Sequence, residues 1–167
     1  MNITKGYRKV PFFIAAQTVI PKGMFIMAAE HKFYSALPDE ARLIRTEVFV
    51  EEQGFRNEFD ESDGQCLHLV IFSDGTPAAA GRIFPPENGI CVIGRIAVLK
   101  NFRGKNFGAE AVRLLEEKAR ELGAEKTALS AQCRVTGFYE KLGYKASGEV
   151  YNDEFCPHIH MEKICDC

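Results

Sequence analysis

The chain has 167 residues, 46% of them hydrophobic and 26% charged, with a formal net charge of −2. That is enough chain for one domain with a substantial core and an ordinary globular composition, and it carries too little positive charge for generic nucleic-acid binding. Six cysteines in no scaffold-like spacing, in a chain too long to need a disulfide framework, read as free thiols in a reducing cytoplasm.

Residues 1–23 place Lys5, Arg8 and Lys9 ahead of an apolar run from Val10 to Ile20. The order imitates a signal peptide, but Gln17, Pro21, Lys22 and Gly23 interrupt it, and the run is too short and broken to span a membrane. The segment is read as an N-terminal extension, either an added strand or a stretch upstream of the core, with the main domain over 24–167. Residues 24–30 are expected to form the first core strand. Leu37-Pro38-Asp39 then opens a helix, with Pro near its start. Its apolar positions are Ala41, Leu43, Ile44, Val48 and Phe49. The stretch 47–63 carries seven acids (Glu47, Glu51, Glu52, Glu58, Asp60, Glu61, Asp63) against one base, Arg56. For most of these acids the plain reading is a solvated loop; the functional one is a negative rim that concentrates a cationic amine.

Two strands, 67–73 and 77–84, meet at an Asp74-Gly75 turn, and Pro85-Pro86-Glu87-Asn88-Gly89 makes another turn. Residues 91–98 are apolar on both faces except for Arg95, as in a central strand covered on both sides. The loop after it gathers Lys100, Arg103 and Lys105. Phe107, Ala111, Leu114, Leu115, Ala119 and Leu122 then form one helical stripe, stopped by Gly123. A helix start offers unpaired N–H groups and partial positive charge, and Gly104 and Gly108 let a ligand approach the backbone. Strand, basic loop and helix together suit a pyrophosphate; the plainer alternative is a basic turn ahead of an ordinary helix. Neither the P-loop nor the G-x-G-x-x-G fingerprint is present. A strand at 126–131, a short helix at 132–142 and two strands at 144–150 and 158–163 complete a mixed α/β sheet.

Arg103-Gly104-Lys105-Asn106-Phe107-Gly108 resembles the R/Q-x-x-G-x-G/A loop of the GNAT acetyltransferases, following a strand Ile96-Ala97-Val98. Asn106 stands where the motif has its first Gly; Asn tolerates a left-handed backbone better than most residues. Further on, Gln132-Cys133-Arg134-Val135-Thr136-Gly137-Phe138-Tyr139-Glu140-Lys141-Leu142-Gly143-Tyr144 is similar to the family's N-x-x-A-x-x-x-Y-x-x-x-G-F/Y segment. Here Gln132 replaces Asn and Val135 replaces Ala, while Tyr139, Gly143 and Tyr144 match. The stretch from Ile44 to Gln53 and Pro157-His158-Ile159-His160-Met161 resemble an ElaA-like branch of that family. The resemblance covers about residues 40–163.

The resemblance implies the GNAT fold: a single mixed, mostly antiparallel sheet, splayed at its centre, with helices on both faces. It implies acetyl-CoA as cosubstrate, with pantetheine along Ile96, Ala97 and Val98. The pyrophosphate would lie on Arg103, Gly104, Lys105, Asn106, Phe107 and Gly108, with Gln132 nearby. It implies acetyl transfer to a primary amine, on a small molecule or a protein, by direct attack in a ternary complex. Tyr139 takes the place of the general acid; the alternative is a packed aromatic. Glu47, Glu51, Glu52 and His158 are substrate-side candidates, and no general base is assigned. A metal site at His158, His160 and the nearby cysteines fits no standard zinc spacing, so no metal is expected. Cys133 lacks an indicated His or Asp partner, and direct transfer needs no acyl-enzyme. The competing class of function is a CoA-binding sensor or interaction module without turnover. The expected setting is cytoplasmic, without nucleic acid or membrane, and the resemblance allows a homodimer.

Overall fold

A computed structural model describes residues 29–165 of the chain. The N-terminal extension, most of the strand expected at 24–30, and Asp166 and Cys167 lie outside the described residues. Ten elements follow in order: β1 (Ala29–Tyr34), α1 (Asp39–Arg45), β2 (Leu67–Ser73), β3 (Thr76–Ile83), β4 (Ile90–Val98), α2 (Phe107–Glu121), β5 (Lys126–Gln132), α3 (Thr136–Lys141), β6 (Lys145–Asp153) and β7 (Cys156–Ile164). The strand order is β1-β2-β3-β4-β5-β7-β6. Every neighbouring pair is antiparallel except β4 with β5.

That parallel pair holds the key to the architecture. Its ladder is short: Ile90, Cys91 and Val92 face Lys126, Thr127 and Ala128. Beyond these residues the two strands part, so the sheet is splayed at its centre, as expected. The register of β4 also breaks on its other side. Ala80 faces Ala97 and Arg82 faces Gly94, so Arg95 and Ile96 both stand opposite Gly81, a β-bulge.

Period-two alternation on the central strands supplies two apolar faces. Leu69, Ile71, Ala79, Ile83, Cys91 and Ile93 pack under α2 with Ala111, Leu115 and Ala119. Val70, Phe72, Ala80 and Ala97 pack on the opposite face with Ala41, Ile44 and Val48. Helices therefore cover both faces. The α2 stripe is buried as expected except at its end, where Leu122 is the C-cap and exposed. Leu43 also departs from expectation and points to solvent, while Ala41 and Ile44 face the sheet.

Three boundaries differ from the sequence reading. The first described strand is β1, mostly exposed, at the edge of the sheet. The helix expected to carry Ala41 to Phe49 is α-helical only to Arg45 and continues as a π-helical turn, Thr46–Glu52. The expected helix at 132–142 is split into a 3₁₀ turn, Cys133–Val135, and α3. The Asp74-Gly75 turn has φ of 48° and 77°, the left-handed pair that suits the twist of a two-residue hairpin.

Candidate active site

The splay opens two recesses that share no lining residue. One lies at the start of α2 and is lined by Val98, Phe102, Arg103, Gly104, Asn106, Phe107, Gly108, Ala109 and Phe138. Gly104 has φ of 75° and nothing within 4 Å of the place a Cβ would take. Asn106, the N-cap of α2, has φ of 67°, so this Asn does adopt the left-handed backbone. The helix bonds begin with Glu110 N–H to Asn106 O, at 3.0 Å. The N–H groups of Phe107, Gly108 and Ala109 therefore have no intrahelical acceptor. A backbone cradle at a helix start, open above its glycine, fits an anionic phosphate group.

Arg103 belongs to the same loop but its guanidinium is engaged. It donates to Glu52 through Nη1 at 2.8 Å and Nη2 at 2.6 Å, and through Nε to Val98 O at 3.0 Å. These hydrogen bonds hold the Glu52 carboxyl below its usual range. Lys105 Nζ lies 5.4 Å from the centre of the Phe102 ring.

The second recess is the cleft between the parted strands. It is lined from the π-helical turn and following loop by Phe49, Gln53, Phe55, Asn57 and Glu58, and from β4 by Arg95 and Ile96. Ser130, Gln132, Arg134, Val135, Tyr139, Asp153, Glu154 and His158 complete it. The structure thus brings Ile96, Gln132, Tyr139 and His158 together. Glu47, Glu51 and Glu52 are exposed and do not line the cleft. Glu58, Arg95 and Glu154 do; sequence reasoning had Glu58 only as one of seven acids of a solvated loop or negative rim, marked Arg95 only as the interruption of an apolar strand, and gave Glu154 no role.

Tyr139 is half-buried, with ring centroids 5.0 Å from Phe138 and 5.9 Å from Tyr144. Burial pushes its hydroxyl up to about 12, so it keeps its proton at neutral pH. His158 is buried, and its Nδ1 lies 2.9 Å from Cys156 O. A carbonyl oxygen only accepts, so Nδ1 carries a proton, and Nε2 is the ring nitrogen left for another partner. Gln132 spans the cleft, donating to Gln53 Oε1 at 2.8 Å and accepting from Arg134 Nε at 2.8 Å. Glu154, at the β6–β7 turn, accepts from the backbone N–H groups of Arg56 and Asn57.

One wall of the cleft is a buried ionic network. Arg45 donates to Glu58 Oε1 at 2.6 Å, to Glu58 O at 2.9 Å and to both oxygens of Asp63 at 2.7 and 3.1 Å. Arg82 donates to Asp63 Oδ1 at 2.9 Å. Arg95 Nε stands 3.0 Å from Glu58 Oε2, although not in hydrogen-bonding alignment. Burial pushes the Asp63 carboxyl up, but the hydrogen bonds and charges of Arg45 and Arg82 outweigh it and hold it down at about 2. For Glu58 burial wins over Arg95 and Arg45, and its carboxyl is raised. Two of the seven acids of 47–63 are thus interior partners of arginines from β3, β4 and α1 rather than members of a solvated loop. Asp63, Cys66 and His68 also bring donor atoms within 4.8 Å of one another. The two guanidinium groups already on Asp63 make that cluster a poor place for a cation.

Residues 31–144 match the model of the Acetyltransferase (GNAT) family. The chain is 35% identical over 127 residues to the "Uncharacterized N-acetyltransferase YjcF" of Bacillus subtilis, covering 74% of this chain and 90% of that one. The crystal structure of Escherichia coli ElaA superposes with a TM-score of 0.72 at 26% identity, over 81% of this chain and 99% of ElaA. An acyl-CoA N-acyltransferase from Pseudomonas aeruginosa gives a TM-score of 0.72 at 29% identity, over 81% and 99%.

Proposed function

We propose that this chain, which belongs to the acetyltransferase (GNAT) family, moves an acetyl group from acetyl-CoA to a primary amine by direct attack in a ternary complex. The observation that carries the reading is the splay of β4 from β5. It puts a backbone anion cradle at one end and a cleft holding Tyr139 and His158 at the other.

Acyl transfer from a thioester needs a neutral amine, a donor for charge developing on the thioester oxygen, and a proton for the departing thiolate. In this reading Gly104, Lys105, Asn106, Phe107 and Gly108 hold the pyrophosphate, with Arg103 bracing the loop from Glu52. The unpaired edge of β4 at Ile96, Ala97 and Val98 pairs with pantetheine and offers a backbone N–H to the thioester oxygen. Tyr139 supplies the proton to sulfur; its hydroxyl is held protonated by burial. Nε2 of His158, on the cleft wall with Nδ1 tied to Cys156 O, is the group this reading assigns to take a proton from the amine.

Titration of the protein with acetyl-CoA, followed by thiol release over a panel of amines, tests the proposal. Binding with turnover of at least one amine is the expected result. Cofactor binding without turnover of any amine would favour a CoA-binding module, and absence of binding would remove the cofactor assignment.

A further inference from the structure

We propose that the acceptor amine also carries a carboxylate, held by Arg95, so that the substrate class is amino-acid-like rather than a simple polyamine. This inference rests on the acetyltransferase reading above.

The first observation is conformational. Arg95 sits on the β4 bulge with φ of 51°. A non-glycine residue in the left-handed region is disfavoured, and such strain concentrates where a side chain must be aimed. The bulge takes this one charged residue out of the alternation of an otherwise apolar strand and sets it on the cleft wall.

The second is hydrogen bonding. The Arg95 side chain is three-quarters buried, with its Nε beside Glu58. Neither Nη has a hydrogen-bond partner among the described residues. Of the carboxylates lining the cleft, Glu58 is engaged by Arg45 and Glu154 by two backbone N–H groups. The buried Nε of Arg95 lacks an aligned acceptor, which is uncommon for a buried donor, and the Nη groups are open to an acceptor from a ligand. The paired Nη groups of a guanidinium match the two oxygens of a carboxylate.

The third is charge. The enclosed network sets three guanidinium groups, Arg45, Arg82 and Arg95, against two buried carboxylates, Glu58 and Asp63. Asp60 is 4.0 Å from Arg82 and half exposed, so water screens it. Within that network one positive charge is in excess, and Arg95 is its member on the cleft wall; the other acids of the cleft, Asp153 and Glu154, are exposed and screened by water. Burial works most strongly against the Arg95 cation; Glu58 favours it, Arg82 and Arg45 oppose it, and Asp60 adds a smaller contribution in its favour. A single carboxylate balances that excess, whereas a phosphate dianion would reverse it. The anion cradle of the α2 loop is a separate recess, so cofactor phosphate does not compete for Arg95.

The test compares alanine, leucine and phenylalanine with their amides, and with O-phosphoethanolamine, on wild type, Arg95→Gln and Arg95→Lys. Thiol release is read with acetyl-CoA, and equilibrium binding is read on the CoA-loaded protein. The acids should exceed their amides by about 10- to 100-fold in kcat/KM and in affinity, the range of a charge-assisted hydrogen-bonded pair. Arg95→Gln should bring that ratio close to one, and Arg95→Lys should restore part of it. Wild type handling acids and amides alike overturns the inference even where the variants fail to fold, and leaves the acetyltransferase reading standing. A preference for O-phosphoethanolamine, or neither binding nor release with any acid, overturns it too. Arg95-dependent binding of the acids without thiol release supports the carboxylate site and overturns the acetyltransferase reading instead.

Discussion

Replacing Arg45 with methionine removes the centre of the buried network and keeps an unbranched side chain of similar reach. Arg45 is 1% exposed and makes four hydrogen bonds to Glu58 and Asp63, which are themselves 5% and 7% exposed. The guanidinium also lies 4.8 Å from the centre of the Phe59 ring. Breaking a buried ion pair from one side leaves an uncompensated charge, at a cost of about 3–5 kcal/mol. Arg82 still faces Asp63 and Arg95 still faces Glu58, so the lower half of that range is expected. At roughly 3 °C per kcal/mol for a domain of this size, Tm should fall by about 10 °C. Urea denaturation at pH 7, followed by far-UV circular dichroism, reads the free energy directly. Combining Arg45→Met with Asp63→Asn should lose less than the two single changes added together, because the second removes the charge that the first strands. A loss below about 1 kcal/mol for Arg45→Met, or additive losses in the double variant, would refute the view that these groups are held against their desolvation by one another.

Tyr139→Phe keeps the ring and its packing; if the hydroxyl protonates the leaving thiolate, kcat should fall about 100-fold with acetyl-CoA affinity and Tm near wild type. A lowered Tm with unchanged kcat would make Tyr139 a packing residue. Gly108→Asp places a carboxylate at the α2 N-terminus, favourable for the helix by about 0.3–1 kcal/mol but repelling a pyrophosphate by about 3 kcal/mol at ~5 Å and an effective dielectric of about 20. Calorimetry on Gly108→Asp and Gly104→Asp should therefore show acetyl-CoA binding weakened about 100-fold or more, and unchanged affinity in both would remove the loop assignment. Asn106→Val should lower stability by about 1–2 kcal/mol, because a β-branched residue fits the left-handed backbone poorly, while Asn106→Gly should stay close to wild type in urea. Acid should act through Asp63, whose carboxyl falls from 3.8 unfolded to about 2 folded. The folded state then binds this proton less readily than the unfolded chain, so the contribution is present above pH 4 and is lost as pH falls to about 2. It amounts to about 2 kcal/mol, and a urea series over that window should show the step in wild type and not in Asp63→Asn.

Much of the scaffold was legible because its signals are local. The α2 stripe repeats at helical spacing, Asp74-Gly75 is a two-residue turn, and Asn106 needed only its own tolerance of positive φ. The edge strand β1 was not, because its face is largely polar and the apolar run lies upstream of it in the sequence. The π-helical turn at Thr46–Glu52 was invisible for another reason: one extra residue per turn leaves no mark on composition. The cleft was legible only in part. Tyr139 and Ile96 sit on segments with their own motifs. Glu58 and Asp63 looked like ordinary surface acids, since their partners Arg45, Arg82 and Arg95 are 13 to 37 residues away and come from three different elements. Glu154 is further still from the Arg56 and Asn57 N–H groups it accepts from. Such pairings are set by the register of the sheet, not by spacing along the chain.

Glu58 is where stability and recognition meet. One oxygen takes Arg45, which ties α1 to the loop after the π-helical turn, and the other faces Arg95 on the β4 bulge. A carboxylate shared between two guanidinium groups satisfies neither completely. Arg45 is closed off by Asp63 and by the Glu58 carbonyl, so the unsatisfied share falls on Arg95. Arg45 thus acts on the cleft without lining it. By drawing on Glu58 it leaves Arg95 short of acceptors, and it fixes the Glu58 carboxylate so that Arg95 cannot turn inward to take both of its oxygens. The residue at the centre of the buried network is in this way also the one that leaves the cleft guanidinium open to the proposed carboxylate.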